Sequence, residues 1–140
     1  AQVGQPDKVV WTIAGDGGFQ MTLTELATMV EANAPVKIAL INNFSLGMVR
    51  QWQELFYEKD YFATLYTGNP DWVKLADAYG IKGIKVTEKD GVETAIEQAM
   101  NTPGPVLVDF QVDKEENVYP FIPPGGGVEQ LIEYPDTKVV

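Results

Sequence analysis

The sequence predicts an α/β fold, a mostly parallel sheet flanked by helices, and two observations carry that prediction. Short apolar runs rich in β-branched residues recur along the chain, each too short for a helix. Between them lie segments with helical apolar spacing, and this alternation is the signature of βαβ units. The length of 140 residues fits one domain over residues 1–140. The chain opens Ala1-Gln2-Val3-Gly4 without an initiator Met, so the domain is expected to be partial, a piece of a longer protein.

The elements follow in order. Lys8 to Ala14 reads as a buried strand. It ends at Gly15-Asp16-Gly17-Gly18, which reads as a loop. Thr22-x-x-Glu25 has the form of a capping box, with Leu23, Leu26, Ala27 and Val30 at helical spacing behind it. That helix stops near Asn33, before Pro35. Val36 to Ile41 is a second strand closed by Asn42-Asn43, and Leu46 to Tyr57 a helix. Residues 60–70 form a loop whose Tyr61, Phe62 and Tyr66 either cover a site or bury against the sheet. Asp71 to Tyr79 is a helix with Gly80 as its stop. A short strand at Gly83–Val86, a helix to Met100 and a strand over Pro105–Val112 complete the pattern. The tail at 113–140, with Pro120, Pro123, Pro124 and Gly125-Gly126-Gly127, is expected to be irregular apart from a helical turn near Val128–Ile132.

Composition removes several kinds of chemistry. Twenty acids against ten bases give a formal charge of −10, a surface that repels phosphate backbones and argues against nucleic-acid binding. No apolar run approaches the roughly 20 residues needed to span a bilayer, so no membrane role is expected. Cysteine and histidine are absent, which removes thiolate nucleophiles, histidine-based triads and Cys/His zinc sites.

Chemistry therefore concentrates in the two loops that follow strands, 15–18 and 42–47. In a parallel sheet both lie at the carboxyl edge, where ligands bind. Glycines 15, 17 and 18 let a phosphate approach the backbone, but the sole base between Val9 and Val49 is Lys37. An anionic ligand here needs a cation, and Asp16 is a hard-oxygen ligand suited to magnesium. One carboxylate is too few, so the 42–47 loop is expected to add an amide oxygen and a carbonyl.

Gly15-Asp16-Gly17, then residues 18–41, then Asn42-Asn43 resembles the fingerprint of thiamine-diphosphate enzymes. The segment Gly47-Met48-Val49-Arg50-Gln51-Trp52-Gln53 is similar to acetohydroxyacid (acetolactate) synthase catalytic subunits. So are Phe19–Thr22, Glu25–Thr28, Pro105–Val108, Asn117–Pro120 and Pro123–Gly125. The similarity runs through nearly the whole chain and corresponds to the carboxy-terminal part of that enzyme.

The resemblance implies magnesium at Asp16, Asn43 and the Ser45 carbonyl. It implies cofactor contacts at Gly15, Asp16, Gly17, Gly18, Asn43, Gly47 and Met48. Met48, Trp52 and Phe56 would line the substrate channel, with the tail near Pro124 and Gly125 folded over it; the helical spacing of Trp52 and Phe56 alone suits a core equally. Arg50 reads as either a site residue or a solvated helix residue, and Glu115-Glu116 as a solvated pair. The implied reaction condenses pyruvate with a second 2-ketoacid to 2-acetolactate or 2-aceto-2-hydroxybutyrate, releasing CO2, in branched-chain amino-acid synthesis. The implied cofactors are thiamine diphosphate and Mg2+, with FAD bound mainly outside this chain. A glutamate from another domain of a partner subunit would activate the cofactor, so no residue here is assigned as catalytic and the isolated chain is expected to be inactive. The implied assembly is a homodimer or tetramer, with a regulatory subunit in some relatives. Location would be cytoplasmic in a bacterium, and plastid or mitochondrial in a eukaryote. Two other readings stay open: a sister thiamine-diphosphate carboligase or decarboxylase, and a non-catalytic α/β interaction module.

Overall fold

The computed structural model describes residues 1–134. Four strands form one parallel sheet in the order β1-β2-β4-β3: β1 Trp11–Gly15, β2 Lys37–Asn42, β3 Lys82–Val86 and β4 Val106–Gln111. Five helices join them: α1 Asp16–Thr22, α2 Glu25–Glu31, α3 Gly47–Phe56, α4 Trp72–Ala78 and α5 Val92–Asn101. The tail is irregular as far as Tyr134 apart from a 3₁₀ turn at Val128–Gln130; residues 135–140 lie outside the described residues.

Alternation along β2 and β4 sends side chains to the two faces in turn, and each face has its own core. Ile38, Leu40 and Leu107 meet Phe19, Leu26, Trp72, Ala76 and Ile81 from α1, α2, α4 and the turn after it. Val106 and Val108 meet Ala95 and Ala99 of α5 on the opposite face. Phe19 and Trp72 pack edge to face with centroids 5.5 Å apart, which locks α1 against α4. Lys37, at the amino end of β2, is buried, and its Nζ donates to the carbonyls of Thr102 (2.7 Å) and Gly104 (2.5 Å). Burial pushes its amine below the ordinary lysine range.

Three expectations change. First, β1 is not a buried strand: it is an edge strand with β2 as its one neighbour, and Ile13 is 77% exposed. Second, 15–18 is not a loop. Gly15 ends β1 and caps α1 in an extended conformation (φ −77°, ψ 155°), so strand passes to helix without a linker and Asp16 is the first helical residue. Third, Thr22-x-x-Glu25 is not a capping box. A cap needs an extended residue before the helix, whereas α1 is already running, and Leu23 and Thr24 keep helical angles between α1 and α2. The Glu25 carboxylate accepts instead from the Thr28 hydroxyl at 2.8 Å. The inward face is accordingly Phe19, Leu23, Leu26 and Met29, while Ala27 and Val30 are exposed.

The remaining boundaries agree with the pattern. Asp71 caps α4 by accepting from the Lys74 amide at 3.1 Å, and Gly80 ends it at φ +73°. Leu40 is fully buried, so Leu40→Ala should cost about 2–5 kcal/mol by loss of transfer energy and creation of a cavity. Ile13→Ala on the exposed edge should change stability by less than about 0.5 kcal/mol. Urea unfolding of the two variants measures the contrast.

Candidate functional site

Because all four strands run parallel, the ends of β1 and β2 open at one edge, and a cleft of about 310 Å³ lies between them. Its walls are Gly15, Asp16, Gly17 and Gly18 on one side and Asn43, Ser45, Leu46, Gly47 and Met48 on the other. The two segments singled out from sequence, 15–18 and 42–47, therefore face one another across a single cavity. A larger cleft of about 700 Å³ continues along α3 and is lined by Trp52, Gln53, Phe56 and Phe62. Val49 borders both. Met48 thus lies in the smaller cleft and Trp52 and Phe56 in the larger. All three are partly exposed, which removes the core reading for this pair of aromatics.

The 42–47 turn is tightly built. Asn42 Oδ1 accepts from the Phe44 amide at 3.3 Å, and Asn43 Oδ1 from the Ser45 amide at 3.2 Å. Between them Phe44 takes φ +56°, a left-handed conformation that disfavours a bulky side chain. A second segment holds this turn in place: Leu46 N–H donates to the Thr64 carbonyl at 2.9 Å and Tyr66 N–H to the Phe44 carbonyl at 2.8 Å. The loop at 60–70 is therefore divided. Thr64 is buried and Tyr66 lies over Gly17, while Phe62 is exposed at the large cleft. Burial, with the Asp16 charge nearby, pushes the Tyr66 phenol above its ordinary range.

Close packing explains two glycines. A Cβ on Gly17 would lie 2.5 Å from the Tyr66 hydroxyl and 2.7 Å from Leu46 Cδ2. A Cβ on Gly47 would lie 2.6 Å from Asn43 Nδ2. Gly18 has open space around it.

The electrostatics of the cleft are unusual. Asp16 is only 1% exposed, and its partners are neutral donors: the Gly17 amide on Oδ1 at 3.0 Å and Asn69 Nδ2 on Oδ2 at 2.8 Å. No ion pair reaches it among the described residues; the two present are Arg50–Glu54 and Lys74–Asp71. Across the cleft, α3 begins at Gly47 after Leu46, whose side chain cannot cap. The helix's first bond runs from the Arg50 amide to the Leu46 carbonyl, so Gly47, Met48 and Val49, which line the cleft, have amides with no acceptor within the helix. Ser45 Oγ is buried there without a partner. Among the described residues, no three or more His, Cys, Asp or Glu side chains are grouped so that they could hold a metal ion. A cation here would thus draw on one carboxylate plus amide and carbonyl oxygens.

Arg50 is neither solvated nor in the cleft. It is buried, with Nη1 on Glu54 at 2.8 Å and Nη2 on the Asn117 side chain. Gln51 beside it exchanges two hydrogen bonds of 2.9 Å with the Val118 backbone. Phe56 lies against Phe121, with centroids 6.3 Å apart. The tail therefore reaches α3 through Asn117, Val118 and Phe121.

Two residues escaped the sequence reading. Asn69 holds Asp16 by donating to its carboxylate. Asp109, buried in β4, accepts from Asn42 Nδ2 at 2.9 Å. Burial pushes the Asp109 carboxyl above its ordinary range, and the Asn42 hydrogen bond opposes that shift. An acid inside the apolar run Pro105–Val112 was a visible signal; Asn69 left none.

Comparison with known proteins decides the family. The model of the thiamine pyrophosphate enzyme C-terminal TPP-binding domain matches residues 1–110. The chain belongs to that family. The thiamine pyrophosphate enzyme domain is 45% identical over 133 residues to the acetolactate synthase isozyme 2 large subunit of Escherichia coli, covering 95% of this chain and 24% of that protein. It is 44% identical to the mitochondrial acetolactate synthase catalytic subunit of Saccharomyces cerevisiae, covering 96% of this chain and 19% of that one. This chain therefore spans about a quarter or less of these relatives. Among solved structures it resembles the thiamine diphosphate-dependent 4-hydroxybenzoylformate decarboxylase of Rhodococcus jostii, with a TM-score of 0.74, 27% identity, and 84% of this chain and 22% of that one covered. No helix among the described residues is long and apolar enough to cross a membrane.

The two glycines in the first turn of α1, Gly17 and Gly18, should respond oppositely to alanine. Gly17→Ala should destabilise by about 1–3 kcal/mol through overpacking, and Tyr66→Phe should recover part of that loss. Gly18→Ala should be neutral or stabilising by up to about 1 kcal/mol, since alanine is the better helix former. Thermal or urea unfolding of the single and double variants measures both.

Proposed function

We propose that this chain is the magnesium–diphosphate-anchoring part of an acetolactate synthase. The observation that carries the reading is the pairing in one cleft of a buried, cation-free carboxylate with an uncapped helix start. The amides of Gly47, Met48 and Val49 suit an anion, and Asp16 suits a divalent cation. Each alone is unfavourable for the other's ligand; a magnesium diphosphate satisfies both. The donor set fits magnesium, which takes one or two carboxylates and completes its shell with phosphate oxygens and water.

In this reading Asp16, Asn43 through its side-chain oxygen and Ser45 through its carbonyl hold the metal. Gly15, Gly17, Gly18, Gly47 and Met48 meet the cofactor, largely by backbone. Thiamine diphosphate, when bound, supplies the electron sink for cleaving and forming carbon–carbon bonds next to a carbonyl. The chain's own residues bind, orient and exclude water. Met48, Trp52 and Phe56 present an apolar wall for 2-ketoacid substrates. FAD would be held mainly outside these 140 residues, as would the residue that activates the cofactor, and the intact chain would form a homo-oligomer, with a regulatory subunit as a further partner. A bacterial enzyme of this kind would work in the cytoplasm, a eukaryotic one in a plastid or mitochondrion.

Sequence identity favours a synthase over a decarboxylase: 45% to the Escherichia coli subunit against 27% to the decarboxylase. Calorimetric titration of thiamine diphosphate into the protein should show saturable binding that requires magnesium and is lost in Asp16→Ala. Binding indifferent to both would remove the reading. With pyruvate, the full-length protein should accumulate 2-acetolactate; acetaldehyde without acetolactate would move the assignment to a decarboxylase.

A further inference from the structure

Asp16 opens α1 and the 42–45 turn follows β2; beyond the β1–β2 ladder, which ends at Gly15 and Ile41, no backbone hydrogen bond joins them among those described. One side chain spans the gap. Asn69 Nδ2 donates to Asp16 Oδ2 at 2.8 Å and to Asn42 Oδ1 at 2.9 Å, so both of its amide hydrogens are used. Asn69 enters from a third segment, between the strip stapled to the 42–46 turn and the cap of α4.

The orientation of this bridge is fixed chemically. Asn42 Oδ1 must face the Phe44 amide, which can only donate, so Asn42 Nδ2 faces Asp109. Asn42 then offers Asn69 an acceptor, and the Asp16 carboxylate offers another. Only the amino end of the Asn69 side chain satisfies both. The chain of bonds from Asp109 through Asn42 and Asn69 to Asp16 therefore has one direction, with a carboxylate at each end. Asp16, Asn42 and Asp109 are all nearly inaccessible to water, so no solvent molecule can replace the bridge freely.

We infer that Asn69 is a positioning residue that sets the separation of the two metal-bearing segments, the start of α1 and the 42–45 turn, and aims the Asp16 carboxylate. It does not touch the reacting atoms. This rests on the reading of Asp16 and Asn43 as magnesium ligands and extends it to the residue that preorganises them. Partners that orient metal ligands typically carry a 10–100-fold effect on metal affinity.

The test is titration of Mg2+, and of Mn2+ followed by electron paramagnetic resonance, into the full-length protein saturated with thiamine diphosphate. Wild type, Asn69→Ala, the near-isosteric Asn69→Leu and Asp16→Ala are compared. Both Asn69 variants should bind the metal about 10–100-fold more weakly while keeping one site per chain, with full occupancy regained at high metal. A folding defect would lower the number of sites and would not be rescued by metal. Asn69 variants with wild-type metal affinity beside an Asp16→Ala that has lost the site would overturn this inference and leave the site reading intact. Asp16→Ala with wild-type affinity would overturn both.

Discussion

The whole carboxyl edge of the sheet depends on how one buried carboxylate is held. Asp16 is the first residue of α1, placed there because Gly15 turns strand into helix without a linker. Removing a carboxylate from water without a cation is expensive, and hydrogen bonds from neutral donors offset only part of that penalty. Here the donors are the amide of Gly17 and the side chain of Asn69. The second of these ties Asp16 to Asn42, and Asn42 to Asp109 deep in the sheet. A single line of polar side chains thus connects the cleft to the most buried strand.

The same edge is arranged for opposite charges at short range. Loop 42–47 closes through two side-chain turns and a left-handed Phe44, and so delivers the uncapped start of α3 into the cleft. The strip at 64–66 fixes that loop from outside, and Gly17 leaves room for Tyr66 to do so. A left-handed residue, Phe44, and a buried hydroxyl without a partner, Ser45 Oγ, stand side by side at this edge; Trp72 Nε1 in the core and Arg50 Nε are likewise buried without a partner.

Much of this was legible in the sequence because parallel strands announce themselves. The runs at Val36–Ile41 and Pro105–Val112 are apolar on both faces, as strands covered on both sides must be. The placing of both segments, 15–18 and 42–47, at the carboxyl edge followed from that alternation alone. What failed was local and had local causes. Gly-Asp-Gly-Gly reads as a turn, yet glycine also caps helices, and only the strand geometry before Gly15 decides between them. Thr22-x-x-Glu25 looked like a helix start because nothing in the pattern shows a helix already in progress. Arg50 and Asn69 failed for a different reason. Their partners, Asn117 and Asp16, lie far along the chain, and polar pairing over such distances leaves no periodicity to read.

The most direct measurement is crystallographic. Crystals of the full-length protein grown with Mn2+ and thiamine diphosphate should show an anomalous peak at the manganese edge bounded by the Asp16 carboxylate, the Asn43 side-chain oxygen and the Ser45 carbonyl. Asn69 should still be bonded to Asp16, and the diphosphate should lie on the first amides of α3. A peak elsewhere, or a diphosphate held away from both loops, would contradict the account.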